Sequence, residues 1–233
     1  MEPLQPVFSF DLGSLKIDIA PEIVVQWFIM LAIILFALWI TKDLALRPSK
    51  KQATVEYAYE FLKSFGASNL GEKNLELLPF IGTMFIYLLL MNLMGLFGLP
   101  VPTKNFSVTL SMGLISFFMI QYYPIKKHGF KKYFKGYAFP AWIVTPINIL
   151  ERIILPVSLA LRMFGNVFAA TLLVELAYEA LEHASIFLAI GIPVPLHAYF
   201  DIFDGFIQTT IFVILTMINI KIITEHSDPE AEH

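Results

Sequence analysis

Arg162 stands inside "PVSLALRMFGNVFAATLLVE", residues 156–175, a run otherwise almost wholly apolar. A guanidinium does not shed its proton in a protein. On insertion scales a cation at the centre of a bilayer costs roughly 2.5–3.5 kcal/mol, so water or an opposite charge must meet it. On a helix turning about 100° per residue, Ser158 and Asn166 fall within about 40° of Arg162. Glu151 falls within about 20° if the helix runs unbroken through Pro156. Thr171 lies about 180° away, with Glu175 one turn beyond it. The helix therefore has two polar faces, a cationic one around Arg162 and a weaker one around Thr171 and Glu175.

A matching set lies near the end of the chain. His197, Asp201, Asp204 and Gln208 are spaced by four, three and four residues, which is a single stripe on a helix. The stripe continues through Ile211 or Phe212 and Leu215 to Asn219. Burial and neighbours move the pKa values of carboxylates and imidazole, so such a ladder can exchange protons through water. It reads as a wet half-path for a cation, entering at the outer end and fading near the middle. Each residue also has a plainer use. Arg162 could pair with a carboxylate of its own bundle, and Asp201 and Asp204 could face water at an outer loop. His197, close behind Pro193 and Pro195, suits an interface, and Ser158 and Asn166 suit helix–helix contacts. The joint arrangement, a cation on one long tract and a polar stripe on another, favours the functional reading.

These residues need long apolar elements to hold them, and the composition supplies those. The 233 residues are 57% hydrophobic and 15% charged, well below the quarter expected of a soluble domain, so the chain is an all-α membrane protein. The chain has no cysteine, which excludes a disulfide framework and thiolate chemistry. No phosphate-binding glycine loop, catalytic triad or zinc-like spacing is present; no cofactor and no metal are expected. The basic loops are short and lie beside apolar runs, which argues against nucleic acid. Residues 1–22 lack a basic segment followed by an apolar one and read as an outer N-terminal segment rather than a cleaved leader.

A first span covers residues 23–41, and second and third spans lie within 78–124, the third ending at Tyr122-Tyr123-Pro124. Between them, residues 53–66 form an amphipathic surface helix with Val55, Ala58, Phe61, Leu62 and Phe65 on one side and Glu56, Glu60 and Lys63 on the other. Residues 141–224 hold two apolar tracts of about 40 residues each, too long for upright crossings. Each must tilt steeply, break or fold back, with Pro140, Pro146 and Pro156 as break points in the first. Lys42, Arg47, Lys50 and Lys51 follow the first span, and Lys126, Lys127, Lys131, Lys132 and Lys135 follow the third. By the positive-inside rule both loops are cytoplasmic. Five crossings then put the N-terminus outside and the acidic tail "HSDPEAEH" inside. No internal repeat is evident.

With those positions in view, "PINILERIILPVSLALRMFGN" (146–166) and "GFIQTTIFVILTMI" (205–218) closely resemble the a subunit of F-type ATP synthases. The likeness extends to "LLPFIGTMFIYLLLMNLMGLFGLP" and "VPTKNFSVTLSM", from about Val24 to Ile223. The resemblance implies two inclined helices against a ring of c subunits, joined through b subunits of a peripheral stalk to a catalytic head, in a bacterial plasma membrane. It implies that Arg162 meets each passing ring carboxylate, with Asn166, Gln208, Ser158 and Glu151 as polar positions near it. It further implies two offset aqueous half-channels for a proton or a sodium ion, and no catalysis by this chain alone. Many family members carry an acid where this chain has Thr171, a histidine where it has Asp201, and an asparagine where it has Ser107. The acid has either moved to Asp201, with Asp204, Glu175 and His197 near it, or is supplied by Glu175. A rival function is a secondary transporter whose Arg162 binds an anionic substrate; such proteins commonly show repeated halves.

Overall fold

The computed structural model describes residues 8–12, 15–42, 45, 48–136, 142–184 and 193–226. Arg47, Pro140 and the tail beyond His226, all used in reading the topology, lie outside the described residues. The architecture is a helical bundle with one addition that the sequence reading lacks. Strands β1 (Phe8–Leu12) and β2 (Leu15–Ile19) form an antiparallel hairpin ahead of the first helix.

Helix α1 (Pro21–Thr41) opens with proline in its first turn, where a missing N–H costs nothing. Helix α2 (Lys50–Leu70) is capped by Ser49, whose hydroxyl accepts from the Gln52 N–H, and ends at Gly71 with φ 80°, a conformation that suits a residue without a Cβ. It is longer than the 53–66 expected. Its inward side carries Gly66 and Leu70, both buried, with Val55, Leu62 and Phe65 half-buried, while Ala58 and Phe61 are exposed. A 3₁₀ segment, Glu72–Leu77, leads into α3 (Leu78–Leu93). Helix α4 (Phe106–His128) starts at Asn105, whose side chain accepts from the Ser107 N–H. It does not end at Pro124 as expected. It continues to His128 and stops at Gly129, φ 83°; a proline removes one hydrogen bond and strains the turn, while the positive φ at Gly129 ends the helix. Helix α5 (Phe130–Gly136) is short.

Helix α6 (Thr145–Ala184) is unbroken over 40 residues, which corrects the expected break points: Pro146 lies in the first turn and Pro156 inside the helix. At 1.5 Å per residue it is about 60 Å long, against about 30 Å of hydrocarbon, so inclination accommodates its length. Close packing stabilises the proline turn. A Cβ on Gly113 of α4 would stand 2.6 Å from the carbonyl oxygen of Pro156, so only glycine permits this approach. The last tract is not one α-helix. Helix α7 (Pro193–Ala198) passes into a π-helical turn, Tyr199–Asp204, and then into α8 (Gly205–His226). The expected α-helical stripe is therefore wound differently at Asp201 and Asp204.

Among the described residues, five helical segments are long and apolar enough to cross a membrane. The core lies between α3, α4, α6 and α8, around Leu88, Met91, Ile120, Met163, Phe212 and Met217. Helix α4 packs against both α6 and α8, and α8 also packs against α3. Helix α1 leans on α3, with Tyr87 donating to Gln26 Oε1 at 3.2 Å.

Candidate ion-path site

Two arginines on α6 have opposite circumstances. Arg152 is half-buried and held by its own chain: Nη1 donates to Tyr133 Oη at 2.9 Å and to Gln121 Oε1 at 3.4 Å. Its guanidinium lies 5.2 Å from the centre of the Tyr133 ring, within cation–π range. Tyr133 is buried and donates to Gln121 in turn. Arg152 is thus a cation met by polar and aromatic groups of its own bundle. Arg162 is exposed, and among the described residues it has no hydrogen bond or ion pair.

The exposed side of α6 on which Arg162 lies runs from Leu150 and Glu151 through Ile154, Ser158 and Leu161 to Ala169 and Leu173. It is broad, mostly apolar and shallow at Ser158, Gly165 and Ala169, so a neighbouring helix can approach closely there. Glu151 and Ser158 are exposed on it, Glu151 about 16 Å along the axis from Arg162.

The opposite side of α6 faces a cavity of about 320 Å³. Its walls come from α6, α3, the segment 98–104, the π turn and the start of α8. Thr171, Glu175, Asp201, Asp204 and Gln208 all line it, so the weaker polar face of α6 and the stripe of the last tract meet in one space. Lys104 is the one basic residue among the described residues lining it. Glu175 lies about 20 Å along α6 from Arg162. The His197 side chain lies outside the described residues. Thr171 donates to the Val167 carbonyl at 2.9 Å. Both acids considered as the main outer-channel group, Asp201 and Glu175, share this cavity.

One hydrogen bond joins the cavity to the arginine side of α6. Asn166, one turn from Arg162, donates from Nδ2 to Gln208 Oε1 at 2.6 Å. Gln208 is 2% exposed, and its Nε2 has no partner among the described residues. A buried amide with a spare donor beside a polar cavity is suited to hold water.

Sequence reading missed the residues that brace the cavity. Asn92 of α3 lines it and is buried, donating to Thr209 Oγ1 at 3.0 Å and to the Gly205 carbonyl at 3.4 Å, while Thr103 donates to Asn92 Oδ1 at 2.8 Å. The available signal was an asparagine inside the apolar run "LLLMNLMG", because a polar group inside a span needs partners. Gly95 was missed too. Its missing Cβ leaves room for the Asp201 carboxylate, whose Oδ2 lies 2.8 Å from where that Cβ would stand. Ser107 is exposed in the first turn of α4, away from the cavity, and its carbonyl accepts from Ser111.

The sequence matches the family described as ATP synthase A chain over residues 23–221. It is 31% identical over 225 residues to "ATP synthase subunit a, sodium ion specific" of Propionigenium modestum, covering 90% of this chain and 75% of that protein. It is 33% identical to ATP synthase subunit a of Desulforamulus reducens, with 93% and 83% covered. With that of Staphylococcus carnosus the identity is 32%, with 97% and 100% covered.

Proposed function

This chain belongs to the ATP synthase A chain family, and on that premise we propose that its geometry passes ions through two offset half-channels to a rotating ring of c subunits. It is the ion-translocating membrane stator of an ATP synthase, with no catalytic chemistry of its own. The cavity is the outer half-channel. Asp201 is its principal acid, with Asp204, Glu175 and His197 near it and Thr171 on its wall. Gln208 and Asn166 bridge from the cavity to the face that the ring covers. Ser158 and Glu151 belong to the path toward the cytoplasm. The chain sits in a bacterial plasma membrane with its N-terminus outside and its C-terminus inside, and b subunits of the stalk tie it to the catalytic head.

Arg162 compensates each ring carboxylate while that group has no ion. A bare carboxylate against lipid or an apolar wall is costly, and the cation offsets the cost for as long as the two face each other. The pairing stays weak because a tight dry pair would stall the ring. The same positive charge repels a cation moving straight from one half-channel to the other. The membrane potential supplies about 2.3 kcal/mol per charge per 100 mV, and lateral displacement of the ring is the route left open.

The observation that carries the reading is the contrast between the two arginines: Arg152 is satisfied within the bundle, while Arg162 is exposed with no partner among the described residues. The experiment is Asp201→Asn in the assembled complex, in vesicles energised with a proton gradient. Expected is loss of ATP synthesis with ATP hydrolysis by the detached head unchanged. An unchanged synthesis rate rejects Asp201 as the outer acid, and failure to co-purify with an oligomeric ring rejects the stator reading.

A further inference from the structure

Lys104 is out of character with the rest of the cavity wall. Glu175, Asp201 and Asp204 put three carboxyl groups around about 320 Å³ of space, and Lys104 is the one basic residue among the described residues beside them. Acidic side chains lining a wet passage favour cations, and a fixed positive charge in the same wall opposes them. A path for positive ions gains no conductance from an ammonium at its side, so the lysine needs another use.

The fold pins the backbone under that side chain and leaves its arm loose. Lys104 closes the 3₁₀ turn Pro102–Lys104, and its N–H donates to the Val101 carbonyl at 3.1 Å. Just before it, Thr103 is buried and donates to Asn92 Oδ1 at 2.8 Å. Just after it, Asn105 caps α4. Lys104 itself is exposed, and its ammonium has no hydrogen bond or ion pair among the described residues. A flexible four-carbon stem on a pinned base can carry the charge across the rim of the cavity without leaving it. Attraction from the three carboxyl groups draws that charge inward.

We propose that Lys104 is a specificity-determining residue: a tethered counter-cation that contests the cavity carboxylates with sodium, so that the path admits protons in preference to metal ions. The inference rests on reading this cavity as the outer half-channel. A sodium ion must exchange part of its water shell for protein oxygens, and the ammonium occupies the same oxygens. A proton makes no such demand. It moves by exchange of hydrogen bonds between water and carboxyl groups, and the cavity is roomy enough for several waters. The ammonium has donors and no acceptor, so it takes no proton from that traffic.

The test uses the assembled complex in inverted membrane vesicles, whose interior is the outer side of the membrane. Parent, Lys104→Gln and Lys104→Arg are compared. Respiration drives ATP synthesis with the interior loaded with sodium chloride or choline chloride at about 0.1 M, so that screening is the same. The readout is the ratio of the two rates within each protein, which a merely structural role leaves alone. The parent and Lys104→Arg should make ATP equally fast in both salts. In Lys104→Gln sodium should slow synthesis about threefold, the scale of one exposed charge pair. Equal rates in both salts for Lys104→Gln overturn the proposal. So does a Lys104→Arg protein as sensitive as Lys104→Gln, because the charge is kept. A parent slowed by sodium, or one that makes ATP from an imposed sodium gradient with a protonophore present, overturns it as well. The underlying reading fails separately, by full synthesis in Asp201→Asn or by loss of the ring on purification.

Discussion

Two glycine-to-alanine substitutions of the same size should fail in different ways. A methyl at residue 95 would stand 2.8 Å from Oδ2 of Asp201 and 3.0 Å from its Cγ and Oδ1. Comfortable C···O contacts are about 3.3–3.6 Å, so the carboxylate must retreat by roughly 0.5 Å or turn away. The obstacle is the free end of a short side chain, and moving it off its preferred rotamer costs about 1 kcal/mol. Gly95→Ala should therefore assemble normally. A methyl at residue 113 would stand 2.6 Å from the backbone carbonyl of Pro156, which cannot retreat without parting α4 from α6. Overpacking of that kind costs about 1–3 kcal/mol, so Gly113→Ala should lower the amount of complex. Displacing a working group by about 1 Å can cost about a hundredfold in rate. Half that displacement sets the expected loss for Gly95→Ala at about tenfold. The assay is intact complex per milligram of membrane, with ATP synthesis per complex in inverted vesicles. A parental rate per complex in Gly95→Ala, or assembly loss equal to that of Gly113→Ala, refutes the reasoning.

The arginines supply the next separation. Arg162→Ala should abolish ATP-driven proton pumping, read by a pH-sensitive dye, with assembly kept. Arg152→Lys keeps the charge but loses the planar fork over Tyr133 and should lower the yield of complex while pumping per complex holds. Tyr133→Phe leaves Arg152 without its 2.9 Å partner and should cost about 1–3 kcal/mol, measured as a lower thermal midpoint of the purified complex. Asn166→Leu and Gln208→Leu each remove the same 2.6 Å hydrogen bond, so the double variant should pump no more slowly than the worse single one; additive losses would show that the two residues act apart.

Much of the bundle was legible because apolar run length and flanking prolines report directly on spans. Residues 23–41 became α1 with a shift of two residues at its start. What was illegible depended on contacts between distant residues. Pro156 reads as a break until Gly113, forty-three positions earlier, lets α4 press against that turn. Nothing near Arg152 or Arg162 in sequence says which is satisfied internally, because the deciding Tyr133 sits nineteen residues away on another helix. Asn92 meets Thr209 across 117 residues. The 197–208 stripe was read on α-helical winding, and the π turn alters that winding; Asp201, Asp204 and Gln208 still reach one cavity because it is broad enough to accept groups from several sides. The hairpin was visible in principle, since apolar residues alternate on both sides of Gly13-Ser14, a pair suited to a two-residue connection.

The unpartnered state of Arg162 also bears on biogenesis. On the proposed role, a copy of this chain made in excess of rotor subunits would carry an exposed, unmet guanidinium into the bilayer, a penalty of roughly 2.5–3.5 kcal/mol that would make correct insertion about a hundredfold less favourable. An acidic rotor docked beside it would relieve that penalty. One side chain would then tie the survival of each newly made stator to the supply of rotors.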